Sequence, residues 1–214
     1  MAKSMNWTDS DGRGMGYQCF SVNPLLATNR ETQLRIDQLR EDLLCVAGRS
    51  VLDIGCYAGL ASIVSLEMGA TNVLATDVSD KYFVPFQKWI KTTGVPCSLE
   101  EIDFNSLDTR HARDVVLFFE VYHWLAHQGI SAGRVAEKLN MLAKCCIVIE
   151  SPFDRSDPSI VRSLGDKSDI YRLDLVLNGL KGMGWGVEFY GLTKYFPGEY
   201  NRARFLLTRS ALSA

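Results

Sequence analysis

A glycine-bearing turn followed by an acidic residue is the strongest chemical signal in the sequence. Residues 51–54 form a short, mainly apolar run that leads into Gly55, and Gly59 stands four positions later. A glycine turn between a strand and a helix lets the backbone approach a ligand closely. Asp77 ends the next apolar run, where an acidic side chain can accept both hydroxyls of a ribose. Together these residues predict an adenosine-containing ligand at the carboxyl ends of parallel strands.

The spacing of the glycines distinguishes between classes of adenosine ligand. A dinucleotide site requires Gly-x-Gly-x-x-Gly, in which three glycines pack the backbone against a pyrophosphate. Here the glycines stand at Gly55 and Gly59, and the middle position is Tyr57. The pattern therefore does not meet the geometry of a pyrophosphate site.

The same segment resembles the first motif of the class I S-adenosylmethionine-dependent methyltransferases. That motif reads apolar-apolar-Asp-apolar-Gly-Cys-Gly-x-Gly, and residues 51–59 match it except at Tyr57. The resemblance covers roughly residues 45 to 210. It implies a Rossmann-like fold, S-adenosyl-L-methionine as cofactor, and enzymatic transfer of a methyl group, the EC 2.1.1 class of reaction.

The resemblance also implies which residues bind the cofactor. Asp53 and the turn would hold the methionine end, Asp77 the ribose hydroxyls, and Val78 would lie against the adenine. Asp103 matches the carboxylate that accepts from the adenine amine. The positions that match the family's cofactor motifs are Asp53, Gly55, Cys56, Tyr57, Gly59, Asp77, Val78, Asp103, Phe119 and Glu120. Taken alone, Asp53 is compatible with a helix N-cap, and Asp103 with a loop residue. The prediction of a cofactor site therefore rests on the ordered set of Asp53, Gly55, Gly59, Asp77 and Asp103.

A second group of residues follows the fourth predicted strand, where the methyl acceptor is expected. Methyl transfer is an in-line displacement, so the protein mainly has to align the acceptor with the sulfonium. A hydroxyl or amine acceptor also loses a proton, which His123 can take because imidazole titrates near neutral pH. Glu120 is the second candidate for this catalytic base. The alternative is that both side chains only shape the pocket.

A metal site is a further alternative for this group. If the chain is helical from Val121, then Glu120, His123 and His127 share one helix face. That arrangement faintly resembles the metal-dependent small-RNA 2′-O-methyltransferases. Those enzymes need Glu-x-x-Glu-His, and only Glu-x-x-His is present here, so we expect no bound metal.

The elements that must position these residues alternate between strand and helix. Such alternation predicts a doubly wound α/β Rossmann-like sheet of five parallel strands, with helices on both faces. Two further strands without an intervening helix predict a terminal antiparallel hairpin, giving seven strands. The predicted strands are 51–54, 72–77, 97–102, 114–119, 145–149, 187–192 and 203–208. The predicted helices include 60–68 and 131–143.

The length favours one domain, residues 1–214, which the resemblance implies is a methyltransferase domain. An irregular arm (1–27) precedes a leading helix (28–44), in which Thr28 and Glu31 form a capping box. Residues 50–150 form the cofactor-binding core, and residues 151–214 supply a substrate-side helix and the hairpin. The arm and residues 151–169 would cap the site.

The overall composition is that of an ordinary globular protein. The 214 residues are 47% hydrophobic and 22% charged, with a formal net charge of −2. No run is apolar enough for a membrane span, and residues 1–16 lack the apolar core of a secretory signal, so we expect them not to be one. The six cysteines include no Cys-x-x-Cys pair. Free thiols in a reducing compartment, and hence a cytoplasmic location, are the expectation.

The identity of the acceptor stays open at this level. The absence of a basic face favours a small molecule methylated at O or N. RNA is the alternative, because residues 48–56 and the Tyr122-His123 pair are also similar to tRNA wobble-uridine modifying enzymes. A catalytically idle cofactor-binding module is a third hypothesis, favoured only by Tyr57. Five arginines are candidates to bind an anionic acceptor: Arg155, Arg162, Arg172, Arg202 and Arg204. Six aromatic residues are candidates to line the acceptor pocket: Trp7, Tyr17, Trp124, Tyr195, Phe196 and Tyr200.

Overall fold

The computed structural model describes residues 5–6, 20–22, 26–27, 30–79, 84–152, 164, 171–194 and 201–209. The strands are β1 Met5–Asn6, β2 Phe20–Val22, β3 Leu26–Ala27, β4 Ser50–Ile54, β5 Asn72–Asp77, β6 Cys97–Glu101, β7 Arg113–Phe119, β8 Ala143–Pro152, β9 Trp185–Lys194 and β10 Asn201–Arg209. The helices are α1 Arg30–Asp42, α2 Leu60–Glu67, α3 Val84–Thr93, α4 Tyr122–His127, α5 Ala132–Leu142 and α6 Leu173–Gly182.

The main sheet confirms the predicted fold class. It is a seven-stranded mixed sheet in the order β6-β5-β4-β7-β8-β10-β9, mostly parallel and ending in an antiparallel hairpin. The chain divides into two compact units, residues 1–105 and residues 106–214.

The first unit contains the parallel strands β4, β5 and β6. Val73 of β5 lies opposite Val51 of β4 and Cys97 of β6. β4 is almost entirely buried, as expected for a parallel strand with apolar residues on both faces. β6 is the edge strand and carries exposed side chains such as Glu100 and Glu101. This unit places the glycine turn directly after its most deeply buried strand.

The second unit contains β7 to β10. β7 is parallel to β8, whereas β10 is antiparallel to both β8 and β9. Phe205 of β10 lies opposite Ile149 on one side and Phe189 on the other, next to an irregularity at Arg204. Residues 195–200 join β9 to β10. This connection is too short for a parallel crossover and long enough for a hairpin.

The amino-terminal segment differs from the sequence prediction. Residues 1–27 were expected to be irregular, yet β1, β2 and β3 form a small antiparallel sheet with Met5 opposite Val22 and Ser21 opposite Leu26. These strands are only two or three residues long, so they carry no readable hydrophobic period. Thr28 of the predicted capping box lies outside the described residues.

The ends of several elements also shift by a few residues. α1 ends at Asp42, because the chain tightens into a 3₁₀ turn over Leu44–Val46 that buries Val46. β8 extends beyond the predicted 145–149 to Pro152, since its pairing with β10 continues to Arg202. Within the ranges given above, no helix combines the length and the apolar character needed to cross a bilayer.

Candidate active site

The glycine turn after β4 is fixed by backbone hydrogen bonds to the end of β5. The N–H groups of Gly55 and Cys56 both donate to the carbonyl oxygen of Thr76, at 2.8 and 2.9 Å. The N–H of Gly59 then donates to the carbonyl oxygen of Cys56 at 2.8 Å and closes the turn into α2. The predicted turn residues are therefore held as one rigid segment.

Three residues of this turn have left-handed backbone conformations. The φ angles are 72° at Gly55, 50° at Tyr57 and 82° at Gly59. A Cβ atom at Gly59 would lie 2.4 Å from the ring of Phe86, far inside contact distance. Gly59 is thus required by both its φ angle and its packing. Tyr57 keeps a left-handed conformation although it has a side chain, which costs of the order of 1 kcal/mol.

The carboxylate of Asp77 faces this turn. Its Oδ2 accepts the N–H of Tyr57 at 2.9 Å, and its Oδ1 accepts the N–H of Val78 at 2.8 Å. Partial burial raises the pKa of Asp77 above its ordinary value, and these backbone donors oppose the rise. An ionised carboxylate has about four acceptor positions, so two N–H groups leave capacity for the hydroxyls of a diol.

The two residues predicted to meet the adenine have exposed side chains. Val78 is 60% exposed, which is unusual for an aliphatic residue beside a buried strand. Asp103 is exposed, and its Oδ1 accepts the N–H of Asn105 at 2.8 Å in an Asx turn. Val78 offers an apolar surface, while the turn holds Asp103 in place.

Asp53 lies inside the first unit. It is 2% exposed, and the hydroxyl of Ser62 donates to its Oδ2 at 2.6 Å. Burial raises the pKa of Asp53 to about 6, and the nearby charge of Asp77 acts in the same direction. The bond to Ser62 joins the end of β4 to α2 and so supports the turn between them.

The thiol of Cys56 is buried as well. Desolvation raises the pKa of Cys56 well above its ordinary value, and the charges of Asp53 and Asp77 add to the rise. Burial likewise raises the pKa of Cys97 to about 12. Both side chains are neutral thiols at physiological pH and pack as small apolar groups.

In the second unit, Glu120 follows β7 in a left-handed conformation, with φ of 59°. Its N–H donates to the carbonyl oxygen of Glu150 at 2.8 Å. The Nε of Arg202 donates to its Oε2 at 2.7 Å, and the two side chains are 9% and 20% exposed. Phe119, the preceding residue, is buried. A strained residue held by a largely buried ion pair is typical of a functional site.

His123 lies on the short helix α4, which begins after Glu120. Its side chain is 6% exposed, and its ring centroid is 5.1 Å from that of Trp124. His127, at the other end of α4, is exposed. Because Glu120 precedes the helix, the three residues do not share one helix face. Among the residues with a described position, no group of three His, Cys, Asp or Glu side chains could hold a metal.

Sequence reasoning missed a buried polar cluster at the end of β8. The hydroxyl of Tyr171 lies 2.8 Å from Oγ of Ser151 and donates to the carbonyl oxygen of Pro152 at 2.8 Å. Its ring centroid is 4.9 Å from that of Tyr122, whose hydroxyl accepts the N–H of Arg172 at 3.3 Å. A polar Ser151 at the carboxyl end of a buried strand was the one available signal for this cluster.

The candidates for acceptor binding have different surroundings. Arg172 pairs with the neighbouring Asp174 at 2.7 Å, and Arg204 donates to the carbonyl oxygen of Tyr190. Trp124 is 56% exposed and is available to line a pocket. Trp7, Tyr17, Arg155, Arg162, Tyr195, Phe196 and Tyr200 lie outside the described residues.

Known proteins resemble this chain in both sequence and fold. A ubiquinone biosynthesis O-methyltransferase of Rhodopseudomonas palustris (strain HaA2) is 30% identical over an alignment of 145 residues that covers 62% of this chain and 52% of that protein. A ribosomal protein L11 methyltransferase of Lachnospira eligens is 25% identical over 144 residues, 65% of this chain and 43% of that protein. The chain thus spans about half the length of these relatives. No protein-family model matches it.

A solved structure supports the fold assignment. Magnesium protoporphyrin IX methyltransferase from Synechocystis PCC 6803, with bound SAH (S-adenosylhomocysteine, the demethylated cofactor), superposes with a TM-score of 0.64 at 19% identity. The match covers 84% of each chain. In sequence the chain is similar to curated methyltransferases, and its fold is that of a solved S-adenosylmethionine-dependent methyltransferase, in agreement with the resemblance of residues 51–59.

Proposed function

We propose that this chain binds S-adenosyl-L-methionine and transfers its methyl group to a small-molecule acceptor at O or N. The observation that carries the proposal is the pairing of the turn at Gly55–Gly59 with the carboxylate of Asp77. Each oxygen of Asp77 already accepts one backbone N–H and keeps capacity for a ribose hydroxyl. The Cβ-free face of Gly59 against Phe86 keeps the turn compact.

The predicted cofactor-binding residues of the first unit have separate roles in this proposal. Gly55, Cys56 and Gly59 shape the backbone against the methionine end, with Asp53 supporting the turn from within. The adenine lies against exposed Val78, and Asp103 accepts from its amine. Carboxylates around the site also favour a cationic sulfonium electrostatically.

When bound, the cofactor supplies an electrophilic methyl group on a sulfonium. In the transfer, the methyl carbon would exchange its bond to sulfur for a bond to the acceptor O or N, and the sulfur would keep the electron pair as a neutral thioether. The acceptor's proton passes to the imidazole of His123. His123 is favoured over Glu120 because the carboxylate of Glu120 already accepts a charged hydrogen bond from Arg202. Phe119 and Glu120 are proposed to face the methyl donor, as in the family motif.

The preference for a small neutral acceptor rests on charge. Arg202 was a candidate for an anionic acceptor, yet its guanidinium is engaged by Glu120. Arg172 is likewise engaged by Asp174. The net charge of −2 gives no electrostatic reason to expect a polyanion such as RNA. One similar protein is named for ubiquinone biosynthesis, which agrees with a small-molecule acceptor.

Methyl-labelled cofactor tests the acceptor class directly. The purified protein is incubated with labelled S-adenosyl-L-methionine and separate small-molecule, RNA and protein fractions of a cell extract. The proposal predicts label in the small-molecule fraction, lost in His123→Ala and retained in His127→Ala, which alters the exposed histidine of the same helix. Label in RNA or protein instead would show that the acceptor is RNA or protein and would overturn the proposed small-molecule acceptor. Cofactor binding without transfer to any fraction would leave the idle-module hypothesis.

A further inference from the structure

Tyr57 occupies the turn position at which a glycine would be least strained. Its φ of 50° places a bulky side chain in the left-handed region, where only Gly and, less often, Asn or Asp are common. Such strain persists only where the surroundings hold it in place. The contacts of its backbone therefore indicate what the strained conformation achieves.

The N–H of Tyr57 differs in its acceptor from the N–H groups of Gly55, Cys56 and Gly59. Gly55 and Cys56 donate to the backbone carbonyl of Thr76, and Gly59 donates to another backbone carbonyl of the turn. Tyr57 donates to the side chain of Asp77, at 2.9 Å from Oδ2. The φ angle of Tyr57 sets the direction of the chain beyond this N–H, so the left-handed conformation lets the chain turn toward Gly59 while the N–H stays bonded to Asp77.

The bond from Tyr57 complements a second one on the same carboxylate. Val78 donates to Oδ1 at 2.8 Å, so each oxygen of Asp77 is held by one backbone donor. Two donors on two oxygens fix the plane of the carboxylate and the direction of its remaining lone pairs. We infer that Tyr57 is a positioning residue that presets Asp77 for a vicinal diol before any ligand binds. The inference rests on the proposed function in assigning that diol to the ribose of the cofactor.

Amide hydrogen exchange of the ligand-free protein tests the preset bond. The amide of Tyr57 is expected to be protected, and Asp77→Ala to accelerate its exchange about tenfold or more, because a charge-assisted bond is lost. The amide of Gly55, which donates to Thr76, is the internal control and should change little. A Tyr57 amide that exchanges freely, or that is unaffected by Asp77→Ala, would overturn the inference.

An amide-to-ester replacement at residue 57 tests the consequence for binding. Incorporating the α-hydroxy analogue of tyrosine removes the N–H and keeps the side chain. We expect SAH affinity measured by calorimetry to fall about tenfold, with the melting curve still cooperative. Unchanged affinity would refute the positioning role while leaving the proposed function intact. A wild-type protein that binds no SAH would instead remove the proposed function, and the exchange experiment would still decide whether Tyr57 presets Asp77.

Discussion

Arg202 on β10 donates its Nε–H to Oε2 of Glu120, 82 residues earlier in the chain, across 2.7 Å. Glu120 follows β7 with a φ of 59°, and its N–H is held by the carbonyl oxygen of Glu150 on β8. The terminal hairpin therefore fixes Glu120, a residue proposed to face the methyl donor. In this chain β10 contributes to the candidate site as well as to the sheet.

Arg202→Gln is expected to lower the free energy of unfolding by about 3 kcal/mol, because it leaves a largely buried carboxylate without its guanidinium. Urea unfolding measures the change. The double variant with Glu120→Gln should recover part of the loss. Arg134→Gln, which breaks an exposed pair with Glu137, is the control and should change the stability by less than about 1 kcal/mol. Equal effects at Arg202 and Arg134 would contradict the assigned importance of the buried pair.

Gly59→Ala is expected to destabilise the protein more than Gly48→Ala. Both glycines have left-handed backbones, with φ of 82° and 71°, so each substitution costs about 1–2 kcal/mol in conformation. Only at Gly59 does the new methyl group meet the ring of Phe86, at 2.4 Å, whereas nothing lies within 4 Å at Gly48. Overpacking adds about 1–3 kcal/mol. Similar midpoints of denaturation for the two variants would show that the turn does not pack tightly on Phe86.

Asp53→Asn is expected to raise the free energy of unfolding relative to the wild type, and to raise it more at pH 8 than at pH 4. Burial raises the pKa of Asp53 in the folded state to about 6, above an unfolded value of about 4. The protonated Asp53 therefore makes its full contribution to the stability of the wild type below pH 4. That contribution is lost as the pH rises through 6. The asparagine variant lacks this loss, so its advantage should grow by about 3 kcal/mol between these pH values.

Denaturant unfolding at pH 4, 6 and 8 measures this difference for the two proteins. A constant difference across the three pH values would mean that Asp53 does not titrate as its burial requires. Because Asp53 supports the cofactor turn, the stabilised variant is also expected to bind SAH more weakly, a trade-off common at functional sites.

His123→Ala is expected to abolish methyl transfer and to keep cofactor affinity, since its proposed role concerns only the acceptor's proton. Loss of a general base typically slows turnover by a factor of about 10² to 10⁴. The rate of labelled-methyl transfer and a parallel SAH titration separate the two properties. Turnover equal to that of wild type would leave His123 as a pocket-lining residue.

The strands and the glycine turn after β4 were predictable because their signals are local. The run ending at Ile54 and the acidic end of β5 at Asp77 are visible within a few residues of sequence. The pairs Glu120–Arg202 and Ser151–Tyr171 join positions 82 and 20 residues apart, which no local period encodes. The left-handed conformation of Glu120 before α4 was also not predicted, because its partners Glu150 and Arg202 are distant in sequence.

Asp77 and the turn around Tyr57 form the proposed cofactor site. Calorimetric titration of the wild type and Asp77→Ala with S-adenosyl-L-methionine and SAH tests it most directly, with Asp108→Ala, an acidic residue paired with Arg110, as the matched control. We expect the wild type to bind both ligands, Asp77→Ala to lose about 1.5–3 kcal/mol of binding free energy, and the control to be unchanged. Absence of binding by the wild type, or equal affinity in Asp77→Ala, would contradict this proposal.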